Sequence, residues 1–211
     1  MTAAFTVILP HRRNPGNDAA YAIALATLTA NTVNEFALIS DLAHDAPLYP
    51  RVNAMIEAAY TDGVCYWASD TFAAPAWDVP MLQAWDENTI VTNILVEPGA
   101  IGMSGQNKEM DFGRKPEAFR RAEFEAWAAS AEMRAGEGWF CPYMISRRAF
   151  LDMGGLQDAG LAPDMHGFTG ADELFFERWK ASGRRVVRAH SFAYHLQRFS
   201  QVDEQAHPKR G

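Results

Sequence analysis

Residues 64–78 read V-C-Y-W-A-S-D-T-F-A-A-P-A-W-D. The run Val64–Ala68 is apolar, aromatic and non-alternating, which predicts a short strand buried on both faces. It closes on Ser69-Asp70, and Pro75 then opens a predicted helix reaching Trp85. A carboxylate at the end of a rigid strand suits a divalent cation that bridges to a phosphate. Ser69, Asp70 and Thr71 are equally the residue types that cap helices and make turns. Both readings of Asp70 stay open on this stretch alone.

Working outward, the same alternation recurs on both sides. Upstream, Phe5–Leu9 is a predicted strand closed by Pro10, followed by the turn-rich loop PHRRNPGN (10–17). Asp18 to about Thr32 is spaced as a helix, Phe36–Ile39 as a strand ending at Ser40-Asp41, and Val52–Tyr60 as a helix. Downstream, Thr89–Val96 is a fourth strand. Such strand–helix alternation implies a mainly parallel sheet with right-handed crossovers, and ligands of such sheets bind beyond the carboxyl ends of the strands. His11–Arg13, Asp41 and Asp70 stand at those ends.

From Gly99 the pattern changes. A glycine-spaced loop (99–113) leads to a predicted helix over about 116–133, then a strand at Tyr143–Ser146 and a Gly154-Gly155 turn. A Gly/Pro/Asp-rich loop reaches Gly170, and Asp172–Ser182 reads as a helix capped by Gly183. Val186–Val187 and Phe192–His195 read as closing strands. Asp172, with Glu173 beside it, is a candidate general base at a glycine-flanked helix start; acids in a first turn also simply complement the helix dipole. His195 ends the last strand, where a lone histidine is either packed or a ligand.

Composition sets the bounds. The 211 residues carry 19 Lys+Arg against 26 Asp+Glu, a formal net charge of −7, with 48% apolar and 21% charged residues. That balance excludes a general nucleic-acid or anionic-membrane surface and intrinsic disorder. No apolar run approaches the roughly 18–20 residues of a membrane span. Two cysteines are too few for a disulfide framework or a structural zinc site. The expectation is one soluble, cytoplasmic domain over 1–211.

The collinear order of these motifs resembles the family 2 glycosyltransferases of the GT-A fold. FTVILPHRRN is similar to their opening strand and base-side loop, RVNAMIEAA to the helix before the metal strand, and VCYWASDTFAAPAWD to the metal segment. YMISRRAFLDMGGLQD resembles the acceptor-side segment, ending at Asp158, and GADELFFERWKASGRRVV the helix of the catalytic acid. The resemblance implies an α/β, Rossmann-like GT-A domain whose mainly parallel mixed sheet is flanked by helices. Residues 1–98 would form the nucleotide-sugar half, 99–200 the acceptor and catalytic half, and 201–211 a tail. It implies an inverting, hexosyltransferase-like enzyme using Mn²⁺ or Mg²⁺ and a nucleotide-diphosphate sugar, a UDP-sugar foremost.

The same resemblance assigns roles residue by residue. Pro10, His11, Arg12, Asp41, Arg51, Asn53, Ser69 and Asp70 would face the donor, and Asp70 with His195 the metal. Asp172 would be the base, and Trp139, Asp158 and Glu173 would stand on the acceptor side. The loops 99–113 and 160–170 would close over the donor. Two departures stand out: the usual Asp-X-Asp is Ala68-Ser69-Asp70, and the usual Glu-Asp pair is Ala171-Asp172. They leave room for a catalytically silent nucleotide-sugar-binding module. A nucleotidyltransferase on a related sheet is the other alternative, although 10–17 holds only one glycine to cradle a triphosphate.

Overall fold

The computed structural model describes residues 3–11, 15–40, 47–98, 108–132, 141–157 and 171–196. In chain order these form β1 (Phe5–Ile8), α1 (Pro15–Asn31), β2 (Phe36–Ile39), α2 (Leu48–Glu57), β3 (Gly63–Tyr66), β4 (Thr71–Ala73) and α3 (Asp78–Ala84). They continue as β5 (Thr89–Glu97), β6 (Lys108–Glu109), a 3-10 turn at Pro116–Ala118, α4 (Arg121–Ser130), β7 (Tyr143–Ser146), α5 (Arg147–Asp152), α6 (Ala171–Ala181) and β8 (Arg185–His195).

One mixed sheet runs β2-β1-β3-β7-β5-β8-β4, with β6 added beside β5. β1 pairs in parallel with β2 and β3, and β5 in parallel with β6 and β8. β7 is inserted antiparallel between β3 and β5, and β4 lies antiparallel to β8. The fourth predicted strand therefore does not adjoin the first three: a strand from the later half separates them.

Side-chain alternation sorts the core onto the two faces of this sheet. Val64, Ile145 and Ile90 pack with Val52 and Ile56 of α2, Phe150 of α5, and Phe175 and Trp179 of α6. Their neighbours Cys65, Met144 and Val91 point the other way, toward Leu28 of α1 and Trp77 and Met81 at α3. Phe112, Phe124 of α4 and Tyr194 extend that second face. Trp67, Trp77, Trp179, Phe150 and Phe175 are fully buried; a side chain of this class contributes about 1.5–3 kcal/mol on burial.

Several boundaries differ from expectation for local reasons. The helix expected at Pro75 starts at Asp78, because Thr71–Ala73 first pair with β8 as an extra strand. Asp78, fully buried, accepts hydrogen bonds from the Val33 and Asn34 backbone N–H groups and from Asn34 Nδ2. α2 begins at Leu48 rather than Val52, with Pro50 in its first turn, where no N–H is needed. The helix expected over 116–133 is split by Phe119-Arg120. The two closing strands are one, β8, ending a chain segment that leaves α6 through Gly183 at φ +81°.

Candidate functional site

Three chain segments meet at the carboxyl ends of β5 and β8. Asp70 sits in the tight turn between β3 and β4, closed by the Thr71 N–H donating to Ala68 O at 3.2 Å. The Trp67 indole N–H donates to Thr71 O at 2.7 Å and holds the turn from beneath. β4 then runs antiparallel to β8 with Thr71 opposite His195, and the Leu196 N–H donates to Asp70 O at 3.0 Å. On the other side of β8, Val96 of β5 lies opposite Tyr194, which sets Glu97 level with His195.

That level is reached through an irregularity. Arg188 lies opposite Thr92, yet Phe192 lies opposite Ile94, so β8 spends two more residues than β5 across the step. Asn93 Nδ2 donates to Ser191 Oγ at 2.5 Å, and Ser191 Oγ donates to Trp77 O at 2.8 Å, which pins the bulge. Bulges of this kind re-aim side chains beside functional sites.

His195 is consequently held between two carboxylates. Its Nδ1 is 2.6 Å from Glu97 Oε1, and its Nε2 is 3.6 Å from Asp70 Oδ2. Glu97 is 1% exposed, whereas His195 and Asp70 are 26% and 27% exposed, so the Nε2–Asp70 side is the open one. Burial by itself disfavours the imidazolium. The Asp70 charge, and hydrogen bonds to Asp70 and Glu97, outweigh it and push the His195 pKa up to about 10. Asp70 is likewise burdened by burial, but its contact with His195 holds it below the usual carboxylate range.

Once the Nε2 proton of His195 is released, that nitrogen and the Asp70 carboxylate oxygen on one open edge suit a divalent cation completed by phosphate oxygens and water. Among the described residues no group of three or more His, Cys, Asp and Glu is arranged to hold a metal ion. Glu97 does not add a third donor because it occupies the opposite edge of the ring. The donor set therefore fits a cation shared with a diphosphate rather than one enclosed by protein.

Asp172 opens α6 and is half-buried. Burial raises its pKa, opposed by a hydrogen bond from its own backbone and one from the Tyr49 hydroxyl of α2. The charges of both Asp172 and Asp70 reach Cys141, just before β7, whose Sγ–H donates to Tyr66 O at 3.5 Å. Burial pushes that thiol's pKa well up. The charges of both acids that the sequence singled out thus act where β3 ends and β7 begins, with Ser69 half-buried in the turn and Glu173 exposed on α6.

The residues expected against the nucleotide are placed differently from one another. Pro10 and His11 are buried. His11 is 2% exposed, with Nε2 2.7 Å from Asp18 and its ring stacked on Tyr21 at 4.3 Å. Arg51, 9% exposed, donates to His11 O at 3.1 Å, so it braces this corner rather than standing open. Asn53 Oδ1 accepts from the Leu156 N–H at 2.9 Å and its Nδ2 donates to Leu156 O at 2.8 Å. Its amide is therefore engaged with the Gly154-Gly155 turn. Arg12, Asp41, Trp139, Asp158 and loop residues 99–107 and 160–170 lie outside the described residues.

Glu97, Tyr49 and Cys141 were not singled out from sequence. Glu97 alone had a signal, as the one acid in the otherwise uncharged run TIVTNILVE.

No family model and no curated protein matches this chain. Among solved structures, that of GalNAc-T7 with UDP, GalNAc and Mn²⁺ matches with a TM-score of 0.53 at 10% identity. The match covers 92% of this chain and 44% of the neighbour, so the chain spans less than half of that protein's length. The fold is GT-A-like. At this identity the likeness establishes architecture, and the GT-A-like sheet is the α/β, mainly parallel mixed sheet that the sequence led us to expect. Among the described residues no helix is long and apolar enough to cross a membrane.

Proposed function

We propose that this chain is a glycosyltransferase that moves a sugar from a nucleotide-diphosphate donor, a UDP-sugar foremost, to an acceptor hydroxyl. The observation that carries the reading is the pairing of Asp70 with His195 at the strand ends of a GT-A-like sheet, with the charges of Asp70 and Asp172 both reaching Cys141. The structural neighbour, solved with UDP, GalNAc and Mn²⁺, supports the same class of ligand. Residues 1–98 form the donor half in this reading, 99–200 the acceptor and catalytic half, and 201–211 a tail.

Asp70 and His195 Nε2 would hold Mn²⁺ or Mg²⁺, which supplies positive charge to the leaving diphosphate. Asp172 accepts the proton of the acceptor hydroxyl as that oxygen bonds to the anomeric carbon and the carbon–phosphate oxygen bond breaks. Its raised pKa suits it to take a proton near neutral pH. Direct displacement inverts the anomeric carbon, so the product anomer read by proton NMR tests the course.

The deciding experiment combines a thermal-shift panel of nucleotide sugars, with and without Mn²⁺, with detection of released nucleoside diphosphate. A ligand of the folded state at 100 times its Kd stabilises by about 2.7 kcal/mol. Asp70→Ala is expected to abolish the metal-dependent shift, and Asp172→Asn to keep binding and lose transfer. Binding without product would favour a silent module, to which Ala68 and Ala171 point; released pyrophosphate would favour a nucleotidyltransferase. No shift with any nucleotide overturns the proposal.

A further inference from the structure

We propose that Glu97 is the positioning residue of this site: its buried carboxylate fixes the ring of His195 with Nε2 toward Asp70 and thereby sets the affinity for a divalent cation. The proposal deepens the metal-dependent reading above and rests on it.

The geometry is specific. Glu97 ends a nine-residue strand that is buried throughout, and its Oε1 stands 2.6 Å from His195 Nδ1. A fully buried carboxylate is costly unless it is paired, and this pairing is to the one ring whose other nitrogen faces Asp70. A hydrogen bond at Nδ1 leaves Nε2 as the nitrogen that can donate its lone pair to a cation, and it prevents the ring from flipping. The pairing is built into the backbone, because the step at Asn93 and Ser191 is what brings β8 level with Glu97. Asp70 is fixed independently, by the Trp67-braced turn and by Leu196. Two donors with separate supports need a third group to hold their mutual orientation, and Glu97 is the side chain placed to do it.

Two measurements test this on the intact chain. In metal-free protein labelled with ¹⁵N-histidine, His195, assigned with His195→Asn, should show a far-downfield proton on Nδ1. In Glu97→Gln, which keeps size and an acceptor oxygen, that proton should move upfield. Mn²⁺ uptake in the presence of UDP, read from the EPR signal of free Mn²⁺, should weaken by about 10- to 100-fold, the usual effect of losing such a supporting carboxylate. Glu97→Asp, which keeps the charge, should recover part of the loss.

Wild-type uptake that depends on Asp70 but is unchanged in Glu97→Gln overturns the proposal, as does a wild-type spectrum without the Nδ1 proton, which needs no variant to fold. Wild-type protein that takes up no Mn²⁺ while showing that proton instead overturns the metal-dependent reading itself.

Discussion

The Tyr49 hydroxyl hydrogen-bonds the Asp172 carboxylate, joining the first turn of α2 to the first turn of α6. Burial makes Asp172 a stronger base than an exposed aspartate, and Tyr49 partly offsets this while holding the carboxylate still. The kcat/KM profile should therefore fall on its acid side above the range of an ordinary aspartate. In Tyr49→Phe the fall should begin at higher pH, because a bond that favours the charged form is gone. A bond to a charged group contributes about 1.5–3 kcal/mol, so the variant should lose about tenfold in kcat/KM at pH values on that limb. An unshifted profile would remove Tyr49 from this role.

Asp172→Asn should separate stability from activity. The folded-state pKa of Asp172 is raised, so its charged form costs stability above that pKa, and the cost vanishes as pH falls below the unfolded value. Asparagine keeps a helix-start side chain without the charge. Melting at pH 7 should rise by a few °C at most, and the gain should shrink in acid. Transfer should drop by about 10²–10⁴-fold. A melting temperature that falls at pH 7 would contradict the sign.

Asn53→Ala should act on stability and leave the chemistry alone. The two bonds to Leu156 contribute about 0.5–1.5 kcal/mol each, and their loss is read from urea unfolding, with kcat per folded molecule unchanged. Gly155→Ala should be destabilising through the same contact. Its φ is +64°, and an added Cβ would stand 2.8 Å from Asn53 Oδ1.

Asp78→Ala gives a control at the opposite side of the core. It removes the fully buried acceptor of three donors, the Val33 and Asn34 N–H groups and Asn34 Nδ2, which themselves lie at the edge of the core. A hydrogen bond to a charged group contributes about 1.5–3 kcal/mol, so calorimetry should show a loss of about that size or more. Mn²⁺ affinity of whatever folds should match the wild type.

The parts of this fold that are legible in sequence are those in which local pattern and burial agree. Phe5–Ile8, Phe36–Ile39 and Tyr143–Ser146 are short apolar runs that any register would bury or pair, and they form strands at those positions. Asp70, His195 and Asp172 stood out by their place at strand or helix ends. Thr71–Ala73 did not, since three residues become a strand only when β8 is present to pair with them. His190 and Ser191 hid the continuity of β8, because a bulge breaks the apolar rhythm while the backbone stays extended. His11, Arg51 and Asn53 carry polar chemistry that the sequence offers to a ligand and the fold gives to its own backbone and side chains.

The step in β8 also makes strand register a determinant of chemistry. An unbroken ladder with β5 from Arg188 onward, with the same residues and no step, would set Ala193, not His195, against Glu97. That slip changes none of the three polar groups, and every one of them would remain in the sequence. A relative that ran the same residues past this point without the step would keep its motifs intact to any residue-by-residue comparison and still be unable to assemble them.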